Sequence, residues 1–407
     1  MKCVHRTGFC IGFLGFLVLV SVLTCACLGQ NQAASPVSPP GEPENMGSMR
    51  VAFPPTSIPV NGSSLLAYEL ELSDYEKTGP APVQLDILDG TTGTILVTLK
   101  DDALASAFLP ASWPAPSPDE LESGTSKLER PRIAVRVRLP GDRVPTTLLH
   151  RLTFEGGSGT GTRTETGAPT PVLSTPPVRL SAPVGGNGWI MYSSAPGTGT
   201  AVPPQVTQGG ITRVPQRYVA NWVQADLWNR TLYSGNGSVN TQWYGYGEEI
   251  LAVGNGPVIE ITDGIPDNAP NSQVPSLATA TRSGNRVVQD IGNGRYAAYQ
   301  HLSPGTISVS VGNVLHTGDS IGRIGNSGNS TIPHLELRIT DSPGDNAGEG
   351  LPYVFDSFTT TGTWTFDAAT GQYGISIAQP RTFTGELPES GVILNIPALS
   401  SRHSGKA

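Results

Sequence analysis

The sequence predicts an all-β protein built as an N-terminal immunoglobulin-like sandwich followed by a second all-β domain. Three observations carry that reading. The composition is turn-rich and charge-poor, with 49 Gly, 36 Pro and 14% charged residues in 407, which favours strands and turns over helix bundles. Apolar residues alternate with polar ones at period two in run after run, the spacing that puts one face of a strand inward. The runs are separated by Gly, Asn and Asp clusters suited to turns with positive φ, and no run of helical period stands out in the second half. The length suits two domains of ordinary size. The formal net charge is -8 and the basic residues are dispersed, so no nucleic-acid partner is expected.

Residues 1–29 read as a signal peptide. Lys2, His5 and Arg6 precede an apolar stretch from Ile11 to Leu23, too short for a comfortable membrane span. All four cysteines lie here: Cys3, Cys10, Cys25 and Cys27. The rest of the chain therefore cannot be held by disulfides. Leu23-Thr24-Cys25-Ala26-Cys27 resembles a loose lipobox, which makes Cys27 the candidate lipidation site and the membrane a partner through an N-terminal lipid or signal anchor. Plain cleavage near Gly29 is the alternative. Residues 30–48, rich in Gln, Ala, Ser, Pro and Gly, read as a flexible tether.

Residues 49–156 carry the sandwich-like pattern. Leu66, Tyr68, Leu70 and Leu72 share one face of a strand, with Ala67, Glu69 and Glu71 on the other; Ile133, Val135, Val137 and Leu139 do the same, with Arg136 and Arg138 facing away. Val83, Leu85 and Ile87 lead through Asp89-Gly90-Thr91-Thr92-Gly93 into Ile95, Val97 and Leu99, a hairpin signature. Several strands at this spacing suggest an immunoglobulin-like sandwich. Residues 157–185, dense in Gly, Thr and Pro, read as a linker. Strand patterns resume over 186–358. Two consecutive hairpins are expected, one through Gly254-Asn255-Gly256 and one through Gly292-Asn293-Gly294. Residues 359–407 form a C-terminal extension, alternating loosely around Trp364, Phe366 and Tyr373, that adds edge strands or a tail.

The chemistry-bearing residues lie in the second domain. In chain order they are Gly247-Glu248-Glu249-Ile250-Leu251, Tyr299-Gln300-His301-Leu302, the run Gly322-Arg323-Ile324-Gly325-Asn326-Ser327-Gly328, and Pro333-His334-Leu335-Glu336. Their order and spacing over about 215–357 resemble the lysostaphin/LytM-type zinc metallopeptidases, and the resemblance implies that family's compact β fold, a duplicated hybrid motif. In that family a His-x-x-x-Asp pair and the second His of His-x-His hold zinc. The first His of His-x-His and the His of Tyr-x-x-His-Leu flank the metal-bound water. Carried over, the flanking pair is present as His334 and His301. The ligand positions read Arg217, Asn221 and Glu336, so all three are substituted.

Arginine has no lone pair to give and stays charged; a neutral Asn carbonyl is a poor zinc donor; Glu336 alone does not make a site. No cofactor is therefore expected, and Arg217 is expected to pair with Glu336 instead. Zinc returns only if other ligands substitute, a set such as His301, His334, Glu336 and Asp226. His150 reads as structural, His316 as a solvated turn residue, His403 as part of the tail, Asp226 and Asp263 as loop carboxylates, and Gly322, Gly325 and Gly328 as turn residues needing positive φ.

The expectation is an exported cell-envelope protein whose peptidase-like domain has lost its metal and binds or scaffolds a wall polymer or peptide, partners implied by family analogy. The alternatives are an active zinc endopeptidase cleaving peptide cross-links of peptidoglycan with non-standard ligands, and a structural adhesin-like lipoprotein.

Overall fold

The structure is a computed structural model and describes residues 49–72, 82–109, 131–140, 143–155, 161–193, 205–208, 211–272, 281–345, 347–367 and 372–397. The signal peptide, the tether, Cys27 and His403 lie outside the described residues. Among the described residues no helix is long and apolar enough to cross a membrane.

The first half comprises β1 (Met49–Arg50), β2 (Ile58–Val60), β3 (Ser63–Leu72), β4 (Pro82–Asp89), β5 (Ile95–Lys100), helix α1 (Asp101–Ala107), β6 (Phe108–Leu109), β7 (Arg132–Pro140), β8 (Thr147–Phe154) and β9 (Arg163–Pro171). One sheet runs β1-β3-β7-β6 with β2 also on β3; the other runs β5-β4-β8-β9. Leu66, Tyr68 and Leu70 of the first sheet share a single buried core with Leu85, Ile87 and Leu152 of the second. This is a two-sheet sandwich, as the alternation predicts. The β4–β5 hairpin forms where expected; Asp89 Oδ1 accepts from the Thr91 and Thr92 amides at 2.8 and 3.1 Å, and Gly93 supplies the positive φ of 72°. His150 is structural, bonded within the sandwich to the Tyr68 hydroxyl at 2.8 Å and the Ala168 carbonyl at 3.0 Å.

The second half comprises β10 (Val178–Leu180), β11 (Gly186–Tyr192), β12 (Val206–Gln208), β13 (Ile211–Arg213), β14 (Ala220–Gln224), a 3₁₀ turn (Asn240–Gln242), β15 (Glu249–Leu251), β16 (Gly256–Thr262), β17 (Asn285–Asp290), β18 (Tyr296–Leu302), β19 (Val314–Leu315), β20 (Ser320–Arg323), β21 (Leu335–Thr340), β22 (Tyr353–Phe355), β23 (Phe358–Asp367), β24 (Gln372–Phe383) and β25 (Val392–Ile396). Its frame is a ten-stranded sheet in the order β19-β16-β17-β18-β21-β14-β11-β25-β23-β24.

Several expectations need correction. Segment 157–185 is not a bare linker: it holds β9, which pairs with β8 in the sandwich, and β10, which pairs in parallel with β22. The C-terminal extension is integral, since β25 lies between β11 and β23. The Gly292-Asn293-Gly294 hairpin forms between β17 and β18, but the Gly254-Asn255-Gly256 turn does not join two paired strands. There β15 pairs with β20 and β16 with β17 and β19.

The two halves share a core. Ile58, Val60, Leu65 and Ala67 point away from the sandwich interior and pack with Trp222, Tyr353 and Phe355 of the second half. Strand β3 is thus buried on both faces, which is why its second face carries Leu65 and Ala67 beside Glu69.

Candidate functional site

The site is built on the face of the large sheet opposite that shared core. In β14, Ala220 and Trp222 point into the shared core, so alternation sends Asn221 and Val223 to the other side. The register then lines up Tyr192 of β11, Asn221 of β14, Glu336 of β21 and Gln300 of β18 as direct neighbours across four strands. Asn221 thus sits directly opposite Glu336. A second apolar cluster, including Val223, Leu232, Trp243 and Ile375 with Tyr192, Ile332 and Trp364 against it, walls this face. Residues 226–246 and the β23–β24 hairpin supply most of that wall.

His301 reaches the site through a bulge. The β17–β18 register shifts between Asn285 and Val287, and His301 adopts φ 65°, a left-handed conformation costly for a non-glycine residue and usually held by its surroundings. Its amide donates to Ser283 O at 3.1 Å and its carbonyl accepts from Gly325 N at 3.1 Å. Gly325 is required for that approach, because a Cβ there would lie 2.3 Å from Ser303 N. Of the three loop glycines, Gly328 has positive φ, at 75°, whereas Gly322 and Gly325 do not; close backbone packing, not φ, accounts for Gly325.

The His301 and His334 rings lie with centroids 4.8 Å apart. His301 Nδ1 donates to Ser327 O at 2.8 Å and His334 Nδ1 donates to Ile332 O at 2.8 Å, since a carbonyl can only accept. For His334, whose imidazole is neutral near pH 7, Nε2 then carries the lone pair. His301 Nε2 is 3.9 Å from Glu336 Oε2. One ligand-type atom from each of His301, His334 and Glu336 falls within 4.8 Å of the others.

Glu336 also pairs with Arg338, two residues on along the same face, at 2.9 Å. Arg338 in turn contacts Gln300 Oε1 at 2.5 Å, Ser283 Oγ at 3.1 Å and Asp345 Oδ1 at 3.5 Å. Burial favours the neutral Glu336 carboxyl, but the Arg338 charge, with His301 and His334 behind it, holds its pKa down at about 2. Burial, reinforced by neighbouring His301, lowers His334 to about 4, so its imidazole is neutral near pH 7. Burial and the Glu336 charge push the Tyr192 hydroxyl up.

Arg217 is not at this site, which corrects the expected Arg217–Glu336 pair. It lies in the turn before β14, its Nε donating to Glu349 Oε1 at 2.7 Å and its Nη1 to Glu69 Oε1 at 2.5 Å. The arginine of Glu336 is Arg338, which period-two spacing along β21 places beside it and which the motif comparison passes over. Asp226 is also absent from the cluster. It caps its own loop, accepting from the Trp228 and Asn229 amides at 2.8 and 3.1 Å. Asp263 likewise accepts from the Gly264 and Gly305 amides, and His316 is exposed.

Arg217, Asn221 and Glu336 therefore do not fit zinc as a set: one is committed elsewhere and has no donor atom, and one is neutral. His301, His334 and Glu336 do present three donors of the right chemistry.

No curated protein matches the chain. Among solved structures, it is similar to the catalytic domain of a point mutant of the prophage-encoded M23 protein EnpA from Enterococcus faecalis (16% identity, 42% of this chain and 93% of that chain, TM-score 0.25). It is also similar to the catalytic domain of the antimicrobial peptidase lysostaphin from Staphylococcus simulans (18%, 36% and 82%, TM-score 0.22). A third is a zinc-containing peptidase from Vibrio cholerae (13%, 72% and 82%, TM-score 0.22). Residues 243–346 match the model of Peptidase family M23, and with the motif order from Tyr299 to Glu336 this gives that stretch an M23 peptidase-family domain.

Proposed function

We propose that this domain is a non-catalytic binding module in the cell envelope, whose ligand is a wall polymer or a peptide borne by one, and that an N-terminal lipid or signal anchor tethers the exported chain to the membrane. The observation that carries the reading is the fate of Arg217. Its guanidinium is buried against Glu69 and Glu349, so the residue that the resemblance aligns with the first metal ligand lies outside the histidine site and ties the domain to the sandwich. Asn221 adds no charge, and Glu336 is neutralised by Arg338. Trp228, 92% exposed on the loop after β14, supports a binding role, because a bare indole offers a stacking surface for sugar or peptide.

A second reading keeps a metal on different ligands. Both imidazoles donate Nδ1–H to backbone carbonyls, the outer contact that orients a metal-binding histidine. Their Nε2 atoms then converge with Glu336, which would hold zinc in a two-histidine, one-carboxylate set; when bound, zinc would supply a Lewis acid and an acidic water.

Metal content of the purified, dialysed full chain separates the two. Under the first reading zinc is far below one per chain and peptidoglycan is bound but not cut. Stoichiometric zinc that is lost on Glu336→Ala, with hydrolysis of peptide cross-links, would overturn it in favour of the second.

A further inference from the structure

A cavity of about 510 Å³ lies away from the histidine site, between the sandwich and the second half. Its volume falls in the range of small-molecule sites. The sandwich contributes Leu65, Arg136 and Arg138; the second half contributes Met191, Tyr218 and Tyr353. Arg217 also lines it. Three guanidiniums therefore meet in one partly apolar space.

Two of them are satisfied. Arg138 pairs with Glu389 at 2.6 Å, and Arg217 is held by Glu69 and Glu349. Arg136 is different. It is half-buried, lines the cavity, and has no hydrogen-bond, ion-pair or ring partner among the described residues. Burial, and after it the neighbouring Arg138 and Arg217 charges, press its pKa down despite Tyr218. A guanidinium in such a place with no anion beside it among the described residues is a standing cost. Alternation along β7 puts Ile133, Val135 and Val137 into the sandwich core and Ala134, Arg136 and Arg138 against the cavity, so the charge is placed there by the strand itself.

We propose that this cavity is a binding site for a small organic carboxylate, with the fork of Arg136 taking the carboxylate and the wall of Leu65, Met191, Tyr353 and Leu387 taking an apolar body. The planar guanidinium matches a carboxylate in bidentate geometry. The apolar wall favours an anion with a hydrocarbon part over a bare inorganic ion. Nothing in the inference depends on whether the M23-type domain holds a metal.

The test is calorimetric titration of the full chain with N-acetyl-leucyl-alanine as the free acid, with its C-terminal amide, and with inorganic phosphate. The acid is expected to bind at least about tenfold more tightly than the amide, the factor that about 1.4 kcal/mol supplies, and more tightly than phosphate. Arg136→Gln should abolish the preference for the acid, and Arg136→Lys should keep part of it. Ligand-free Arg136→Gln should melt no lower than wild type, because an unpaired charge has been removed. The proposal is overturned if acid and amide bind alike, if phosphate binds as well as the acid, or if Arg136→Gln keeps the preference.

Discussion

Replacing Arg217 with alanine is expected to destabilise the protein by about 3–5 kcal/mol, the usual cost of removing one partner from a buried ion pair. The side chains of Arg217, Glu69 and Glu349 are 5%, 9% and 7% exposed, so water cannot replace the lost guanidinium. The loss should depend on pH. Burial, opposed by Arg217 and helped by Glu69, pushes the Glu349 carboxyl up to about 7 from an ordinary value of 4.5. A carboxyl with a raised native pKa binds its proton more tightly in the folded state. Its contribution is therefore most favourable below about pH 4.5 and declines as pH rises towards 7. Without Arg217 the Glu349 carboxyl relies on protonation to avoid a buried charge, so the substitution should cost less at pH 5 than at pH 8. Urea unfolding at the two pH values measures this. An equal loss at both, or a loss below about 1 kcal/mol, would contradict the buried pairing.

The next largest effect is expected at Glu336. Its pKa is about 2 against an ordinary 4.5, a difference worth about 3 kcal/mol by linkage. The native pKa is depressed, so this stabilisation is present above about pH 4.5 and is lost as pH falls towards 2. Glu336→Gln keeps the shape and removes the charge. It should lower stability near pH 7 by about 2–3 kcal/mol and flatten the acid limb of the stability curve below pH 4.5. His334, lowered to about 4 from 6.5, acts in a higher window. It must remain neutral in the fold, so its contribution falls as pH drops from 6.5 towards 4, and that limb should survive in the Glu336→Gln variant. Acid titrations followed by tryptophan fluorescence resolve the two limbs. An unchanged lower limb in the variant would remove Glu336 from the account.

Much of this was legible in the sequence wherever local pattern decides structure. Alternation placed Leu66, Tyr68 and Leu70 in one core, and the family resemblance singled out Asn221 and Glu336, which the register makes direct neighbours on β14 and β21. Arg338 was equally legible, being two residues from Glu336 on a strand. What alternation cannot give is the partner of a residue brought close only by tertiary packing. Arg217 meets Glu69 148 residues away and Glu349 132 residues away, and no spacing rule spans such separations. The missed strands β9 and β10 have the same cause. Their Thr, Gly and Pro content suits a loop, and they are strands because β8 and β22 offer edges to pair with. The Gly254-Asn255-Gly256 turn failed as a hairpin because Gly256 passes so close to Asp290 that a Cβ would sit 1.9 Å from its carbonyl oxygen, which binds that stretch to β17.

The placement of β25 sets an order of assembly. Strand β11 is made early in synthesis, yet one of its two neighbours in the sheet, β25, comes roughly two hundred residues later. Until Val392–Ile396 has been made, β11 presents an open row of amides and carbonyls, and β23 lacks the strand that joins it to the rest of the sheet. A growing or shortened chain is thus sticky along one defined line. A version ending at Gly391 should aggregate through that edge, and a synthetic Val392–Ile396 peptide added in trans should suppress the aggregation, measured by light scattering during refolding.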